Sequence, residues 1–408
     1  MSMRISTTQV YNKNLRYLQN ANSQLDSSTS RYNSGLKFST AAEDPSGMAS
    51  KIKYDAAIAS YKQYATNAGL AADTMSEEET ALDSMWTALS SANTRLIQAV
   101  DSTNDNSSND AIAEDLIQIR DQLFDLMNTR NADGEYIFSG AQSTVATMIK
   151  TSDGQYACQA DGQARKVQVA PSVQVQVSDS GLNIFQNCQL AKTIETDGDD
   201  TGVYGMIANY GTYDAVFEQY YDPTKTGAAD NQLTLTIDAD GKFTLADPDG
   251  NTIDEGKVAS DNTIETKGLS FTIADGQAAG PRTITVSMKK PGQDNILNQL
   301  TEFADALRNG SLTTEELSDK MAYAQQTVQN AMDQYDKYRG RVGSRESEVE
   351  NVINSDNALK TIKTTAEANI TEVDAFEAAS DIVKDQQALT TARSVYSKIN
   401  GTSLFDYI

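Results

Sequence analysis

Two acidic runs, Asp238-Ala239-Asp240-Gly241 and Asp247-Pro248-Asp249-Gly250, come nearest in this sequence to a metal-binding loop. Calcium loops begin with alternate carboxylates before a glycine, but they also need later ligands and a closing bidentate glutamate. Neither run has them. Each reads as a turn between alternating strands, with Asp accepting from the backbone and Gly supplying the unusual φ. Five tyrosines, Tyr204, Tyr210, Tyr213, Tyr220 and Tyr221, could stack on sugar rings, so glycan binding is one chemistry to weigh. The commoner use of such a cluster is core or loop packing. The chain has no histidine, which removes the usual general base and the usual zinc ligand together. Cys158 and Cys188 stand outside any C-x-x-C, and one disulfide or two buried thiols are open alternatives. No phosphate loop, dinucleotide fingerprint or nucleophile elbow is present. The expectation is a chain that is no enzyme and uses no cofactor or metal.

The elements around these residues explain the absence. Residues 8–36 carry a heptad-like stripe through Thr8, Tyr11, Leu15, Leu18, Leu25, Thr29, Tyr32 and Leu36, with Asn22 in the remaining slot. Ser6 with Gln9 makes a capping box at its start. Gly35 suits a left-handed helix end, and Asp44–Pro45 reads as the cap and first residue of the next helix. That helix is expected over 45–101, with Met75, Leu82, Met85, Leu89, Ala92 and Leu96 inward. A third follows with Ile112, Leu116, Ile119, Leu123, Met127 and Arg130. From about 133 to 290 the period changes to two, in stretches such as RKVQVAPSVQVQV and QLTLTIDADGKFTL.

Helix returns at 294, and Thr313 with Glu316 offers a second capping box. The cleanest stripe then runs through Leu317, Met321, Ala324, Val328, Ala331, Tyr335, Tyr338, Val342, Arg345, Val349 and Val352. A last helix is expected over about 360–399, carrying Ile370, Val373, Ile382, Leu389, Tyr396 and Ile399. The fold class is mainly α with a β-rich insert. The N- and C-terminal segments form a long helical bundle or coiled coil, and an outer all-β domain stands between them.

Among 408 residues, 57 acidic against 33 basic leave a net charge of -24, which argues against nucleic acid or an anionic membrane as partner. No run of 18 apolar residues predicts a membrane span, and the opening lacks the apolar core of a Sec signal peptide. The terminal stripes are rich in Ser, Thr, Asn and Gln. Such helices gain little from burial alone and are expected to gain order by packing against copies of themselves. This points to assembly rather than catalysis.

Several stretches carry a resemblance. SGLKFSTAAEDPSGMASKI, YRGRVGSRESEVEN and the ending YSKINGTSLFDYI resemble the corresponding segments of the bacterial flagellin superfamily, over about 1–145 and 290–408. Within it, MRISTTQVYNKNLRYLQN and ADGEYIFSGAQ resemble the hook–filament junction proteins, and the Asn-Thr-Asn opening usual in flagellins is missing. The insert is longer than in compact members.

The resemblance implies five segments. Residues 1–44 and 359–408 are the two halves of an inner coiled-coil domain, 45–139 and 291–358 the halves of a helical-bundle domain, and 140–290 an outer β-rich domain. It implies a secreted structural subunit of the extracellular flagellum, serving motility at the hook–filament junction. Its partners would be a ring of about eleven copies of itself, hook-associated protein 1, flagellin, an export chaperone and the type III export apparatus. The assembly residues would be Tyr11, Leu15, Leu18, Leu25, Tyr32, Leu36, Ile370, Val373, Ile382, Leu389, Tyr396, Ile399, Leu404 and Phe405. Gly35, Asp44, Pro45 and Gly47 would set the turn where the chain crosses between the inner two domains, and a matching crossing is expected near 353–360. The alternatives are a flagellin filament subunit, or a flagellin-framed secreted protein with a glycan-binding outer domain.

Overall fold

The computed structural model describes residues 7–100, 106–197, 202–225, 227, 230–274 and 281–401. Three helices open the chain: α1 (Thr7–Ser34), α2 (Pro45–Ala99) and α3 (Asn106–Met127). The middle holds β1 (Met148–Lys150), β2 (Tyr156–Cys158), β3 (Lys166–Ala170), β4 (Val173–Gln176), a π-helical turn Leu182–Gln186, β5 (Cys188–Gln189), β6 (Thr193–Thr196) and β7 (Val203–Ile207). It continues with α4 (Tyr210–Tyr220), β8 (Gln232–Ile237), β9 (Lys242–Ala246), β10 (Thr252–Lys257), β11 (Thr263–Thr266), β12 (Leu269–Ile273), β13 (Arg282–Lys289) and β14 (Gln293–Asp294). Helices α5 (Ile296–Arg308), α6 (Thr314–Thr371) and α7 (Ala375–Gly401) close it. The chain is thus mainly α with a β-rich insert, as expected. No helix among the described residues is long and apolar enough to cross a membrane.

Two compact units emerge. One comprises Met1–Asn67, Val169–Pro171 and Asn351–Ile408, the other Ala68–Gln168 and Ser172–Glu350. In the second unit the helical stripes form a core. Met75, Leu82, Met85, Leu89, Ala92 and Leu96 of α2 are all fully buried, as are Met321, Ala324, Val328, Ala331, Tyr335, Val342 and Val349 of α6. Leu116, Leu123 and Met127 from α3 and Leu297, Leu300 and Phe303 from α5 complete it. The capping box of α6 is reciprocal: the Thr313 N–H donates to Glu316 Oε2 at 2.8 Å and the Glu316 N–H to Thr313 Oγ1 at 3.2 Å. Ser6, the start of the other expected box, lies outside the described residues.

The β region has its own core. A five-stranded antiparallel sheet, in the order β10-β9-β8-β13-β6, packs with a three-stranded one, β11-β12-β7. Alternation places Leu233, Leu235 and Ile237 of β8 inward beside Ile284 and Val286 of β13 and Phe243 and Leu245 of β9. Val203, Leu269, Phe271 and Ile273 of the smaller sheet join the same core, with Tyr213, Val216 and Phe217 of α4. Helix α4 corrects the expectation of unbroken period-two structure. Asn209 caps it, its side chain accepting from the Thr212 N–H at 3.0 Å. The helix also decides what the tyrosines do. Tyr213 is fully buried, and Tyr210, Tyr220 and Tyr221 pack against the core. Tyr221 stacks on Phe217, and Tyr204 donates to Asp319 Oδ2 at 3.1 Å. They serve as packing.

The two acidic runs are turns. Asp238 Oδ1 accepts from the Asp240 and Lys242 N–H groups, and Asp247 Oδ1 from those of Asp249 and Asn251. Gly241 and Gly250 take φ of 70° and 85°. Both cysteines are free thiols, and burial pushes Cys188 up to about 12.

The second unit also buries a charge cluster. Glu78, on the core face of α2, is 1% exposed, and its Oε1 accepts from the Asp179 N–H at 3.1 Å. Arg345 of α6 holds both oxygens of Asp179 in a fork and leaves Glu78 Oε2 4.0 Å away. Glu78 Oε2 has no hydrogen-bond partner. Burial, and then the Asp179 carboxylate, push the Glu78 carboxyl up to about 8, with Arg345 opposing.

Candidate assembly surface

In the first unit α1 and α7 pack against each other. Ser28 Oγ donates to Asp385 Oδ2, and the Tyr396 hydroxyl donates to that of Tyr11 at 3.0 Å, with ring centroids 5.8 Å apart. The seam is thinly buried. Of the expected assembly residues only Leu389 is buried. Leu15, Leu18, Leu25, Leu36, Ile370, Val373, Ile382 and Tyr396 are half-buried, and Tyr11 and Tyr32 are exposed. The side chains of Ile399, Leu404 and Phe405 lie outside the described residues. Stripe reading missed Tyr17, Val383 and Val395, which are exposed, and Phe376, which is 88% exposed. A groove of about 660 Å³ along the pair is lined by Tyr17, Ala388, Ala392 and Val395. Asn14, Lys384, Gln387 and Thr391 line the same groove, so its walls are half polar.

The helix breaks beside this pair are built from local and cross-chain bonds. Gly35 ends α1 with φ 70°, its N–H donating to the Arg31 carbonyl. Asp44 caps α2, its Oδ1 accepting from the Ser46 N–H at 3.1 Å and the Gly47 N–H at 2.9 Å. These bonds, that from Gly47 foremost, hold its carboxyl below the usual carboxylate range. Pro45 takes the first helical position, where the missing N–H costs nothing. Phe38 is buried against Gly47, and a Cβ there would lie 2.6 Å from the ring. All four expected turn residues therefore shape one break.

The crossing expected near 353–360 is not marked by a helix break, although the division between the two compact units falls nearby, between Glu350 and Asn351. Helix α6 runs unbroken through INSDNALK to Thr371, and the chain breaks at 372–374. The cause is pairing across the unit. The Lys37 N–H donates to the Thr371 carbonyl at 2.7 Å and the Val373 N–H to the Gly35 carbonyl at 2.9 Å, while Lys37 Nζ reaches the Asn369 carbonyl at 2.8 Å. Leu36 and Glu372 form an antiparallel bridge. Asp374 then restarts the helix, accepting from the Phe376 and Glu377 N–H groups. The polar Asn and Ser residues at 353–357 have weak helix preference, but packing overrides it.

The thin seam has a measurable consequence. In the purified chain, limited proteolysis is expected to cut within 1–40 and 365–408 first and to leave 50–350 resistant. Equal protection of both ends would contradict a marginal α1–α7 pair.

Residues 5–143 match the family model of the bacterial flagellin N-terminal helical region, and residues 325–408 that of the C-terminal helical region. Flagellar hook-associated protein 3 of Salmonella typhimurium (strain LT2) is 27% identical over 200 residues, 49% of this chain and 62% of that protein. Its namesake in Escherichia coli (strain K12) is 27% identical over 207 residues, 50% of this chain and 64% of that protein. The chain thus spans less than two thirds of the length of either relative. The flagellar hook-associated protein-3 structure from Legionella pneumophila shares the fold at TM-score 0.60 and 18% identity, covering 78% of this chain and 98% of that one. FlgL from Xanthomonas campestris does so at TM-score 0.57 and 18% identity, covering 77% and 99%. The two flagellin regions match at opposite ends and together take in more than half of the residues: the chain belongs to the bacterial flagellin family.

Proposed function

We propose that the chain is a structural subunit of the bacterial flagellum, the second hook–filament junction protein, which joins the hook through hook-associated protein 1 to the flagellin filament. It catalyses no reaction. The observation that carries this reading is the α1–α7 pair, whose stripe residues are half-exposed in a single chain. Surface of that kind gains about 25 cal/mol for each further Å² buried, and copies of the same chain supply the partner. The similarity to hook-associated protein 3 of two bacteria supports the place in the flagellum.

On this reading the assembly domain is residues 1–44 with 359–408, built on α1, the end of α6 and α7. Its contacts are the residues from Tyr11 to Leu36 and from Ile370 to Phe405 named above, with Gly35, Asp44, Pro45 and Gly47 holding the border. About eleven copies form the ring. The subunit leaves the cell through the type III apparatus, escorted by an export chaperone, and resides outside the cell at the junction.

Cells lacking the gene test this. Bare hooks with abundant monomeric flagellin in the medium are expected, because exported subunits have nothing to build on. Loss of both filament and flagellin would make this chain the filament subunit. Normal filaments would overturn both readings.

A further inference from the structure

In the second unit two buried carboxyl groups compete for one guanidinium. Asp179 belongs to residues 177–181, which lead from β4 into the π-helical turn. Its carboxylate has three donors: two nitrogens of Arg345, one of them at 3.2 Å, and Gln176 Nε2 at 2.7 Å. Glu78 has one donor, the Asp179 N–H, and it serves Oε1. Glu78 Oε2 and Arg345 Nε are both buried without a hydrogen-bond partner. The Arg345 guanidinium is 4.0 Å from Glu78 Oε2 but committed to Asp179. With both carboxyls ionised, the cluster would hold a net negative charge in a dry site, and a single fork would have to serve both. With Glu78 protonated the cluster is neutral, and that is the arrangement these hydrogen bonds describe.

The groups around the cluster bring no further cation to Glu78. Glu79 and Glu346, the next residues along α2 and α6, are carboxyls themselves, and burial with the Glu79 charge holds Glu346 above its ordinary range. The Arg165 N–H donates to Ser178 Oγ at 3.2 Å, but its guanidinium pairs with Glu135 at 2.9 Å. Residues 177–181 are anchored at both ends by backbone. The Val177 N–H donates to the Arg165 carbonyl at 2.9 Å and the Gly181 N–H to the Phe138 carbonyl at 2.7 Å. Beyond Gly181, Phe185 packs edge-on against Phe138 and Tyr335. Between those anchors, Asp179 supplies the hydrogen bonds to α2 and α6.

We propose that Glu78, Asp179 and Arg345 form a proton-operated latch: with Glu78 protonated, Arg345 clamps Asp179 and holds residues 177–181 on α2 and α6, and when Glu78 loses its proton to solvent the guanidinium turns to Glu78 and the segment is released. One guanidinium with two alternative carboxylate partners makes a two-state element that a single proton can bias. Released, Asp179 keeps only Gln176 and meets the like charge of Glu78. Burial and Asp179 hold the proton on Glu78 up to about 8. The latch is therefore closed at neutral pH and below, and opens as pH rises through that value. It does not depend on the junction reading or on the α1–α7 pair.

Hydrogen exchange read by mass spectrometry on the purified full-length chain, at about pH 6 and about pH 9, tests the latch, with each rate referred to an unstructured peptide of the same sequence. In wild type the protection of 177–181 is expected to fall at least ~10-fold between the two pH values, while α2, α6 and β8 keep theirs. E78Q stays neutral and D179N removes the like charge, so neither should show the fall. The wild-type comparison needs no substitution and stands by itself if a variant melts early by circular dichroism. Equal wild-type protection at both pH values, the same fall in E78Q as in wild type, or a fall shared by β8 and all of α2 would each overturn the proposal.

Discussion

Replacing Glu78 by glutamine should make the protein more stable above neutral pH and should flatten its pH profile. In the folded chain the Glu78 carboxyl titrates near 8, against about 4.5 unperturbed, because it is buried beside Asp179. The folded state therefore binds this proton more tightly than the unfolded state does. The contribution of Glu78 is fully present below about 4.5, falls as pH rises through the window from 4.5 to 8, and is gone above it. The loss is on the order of a few kcal/mol. Glutamine is neutral throughout, and its side-chain oxygen can still accept the Asp179 N–H. Urea midpoints at pH 5, 7 and 8.5 measure the effect. Wild type and E78Q should agree near pH 5 and separate in favour of E78Q by pH 8.5. Parallel profiles would mean that Glu78 is already ionised in the fold, with Arg345 as its true partner.

The second large effect is a reversal of sign between two glycines in one helix. Inside a helix, Gly→Ala normally stabilises by about 0.5–1 kcal/mol, since alanine restricts the unfolded chain. Gly69 meets that condition: a Cβ there has nothing within 4 Å, so G69A should gain about that much. At Gly47 the added Cβ would stand 2.4 Å from Asp44 Oδ2 and 2.6 Å from the Phe38 ring. Both groups belong to the break itself, one as its cap and one as its buried plug. Overpacking of this kind costs about 1–3 kcal/mol, which exceeds the propensity gain. G47A should therefore lower stability and speed proteolysis of α1 while leaving the β core intact. Thermal unfolding and limited proteolysis of the two variants read this directly. A G47A protein as stable and as resistant as G69A would show that Phe38 is free to move aside.

How legible these features were in the sequence depended on how local their causes are. The α2 and α6 stripes span many turns, so their period predicted most of the bundle core, although Leu317, Tyr338, Arg345 and Val352 of the α6 stripe are only half-buried. The first helix break announces itself within ten residues, through Gly35 and the Asp44–Pro45 cap. The second break has no glycine or proline. It lies at Glu372–Asp374 because backbone far away in sequence pairs with it, and no local pattern carries that information. Helix α4 escaped because eleven residues among alternating strands offer little periodicity, although Asn209 before Thr212 was a usable cap signal. Glu78 hides in the run Ser76-Glu77-Glu78-Glu79-Thr80. Its offset from Met75 and Leu82 places it on the inward stripe, and a carboxylate there signals a buried partner.

The hydrogen bonds between the two breaks also restrict how the ends of this chain can change in length. Gly35, Leu36 and Lys37 are in register with Thr371, Glu372 and Val373, each side satisfying the other's backbone. One residue inserted into either segment would slide Leu36 off Glu372 and leave donors and acceptors unmatched on both. Deletion or insertion within either of these two short segments thus breaks the pairing of both. The turn at Asp247–Gly250, by contrast, is closed by bonds among its own residues and Asn251, so it can lengthen alone.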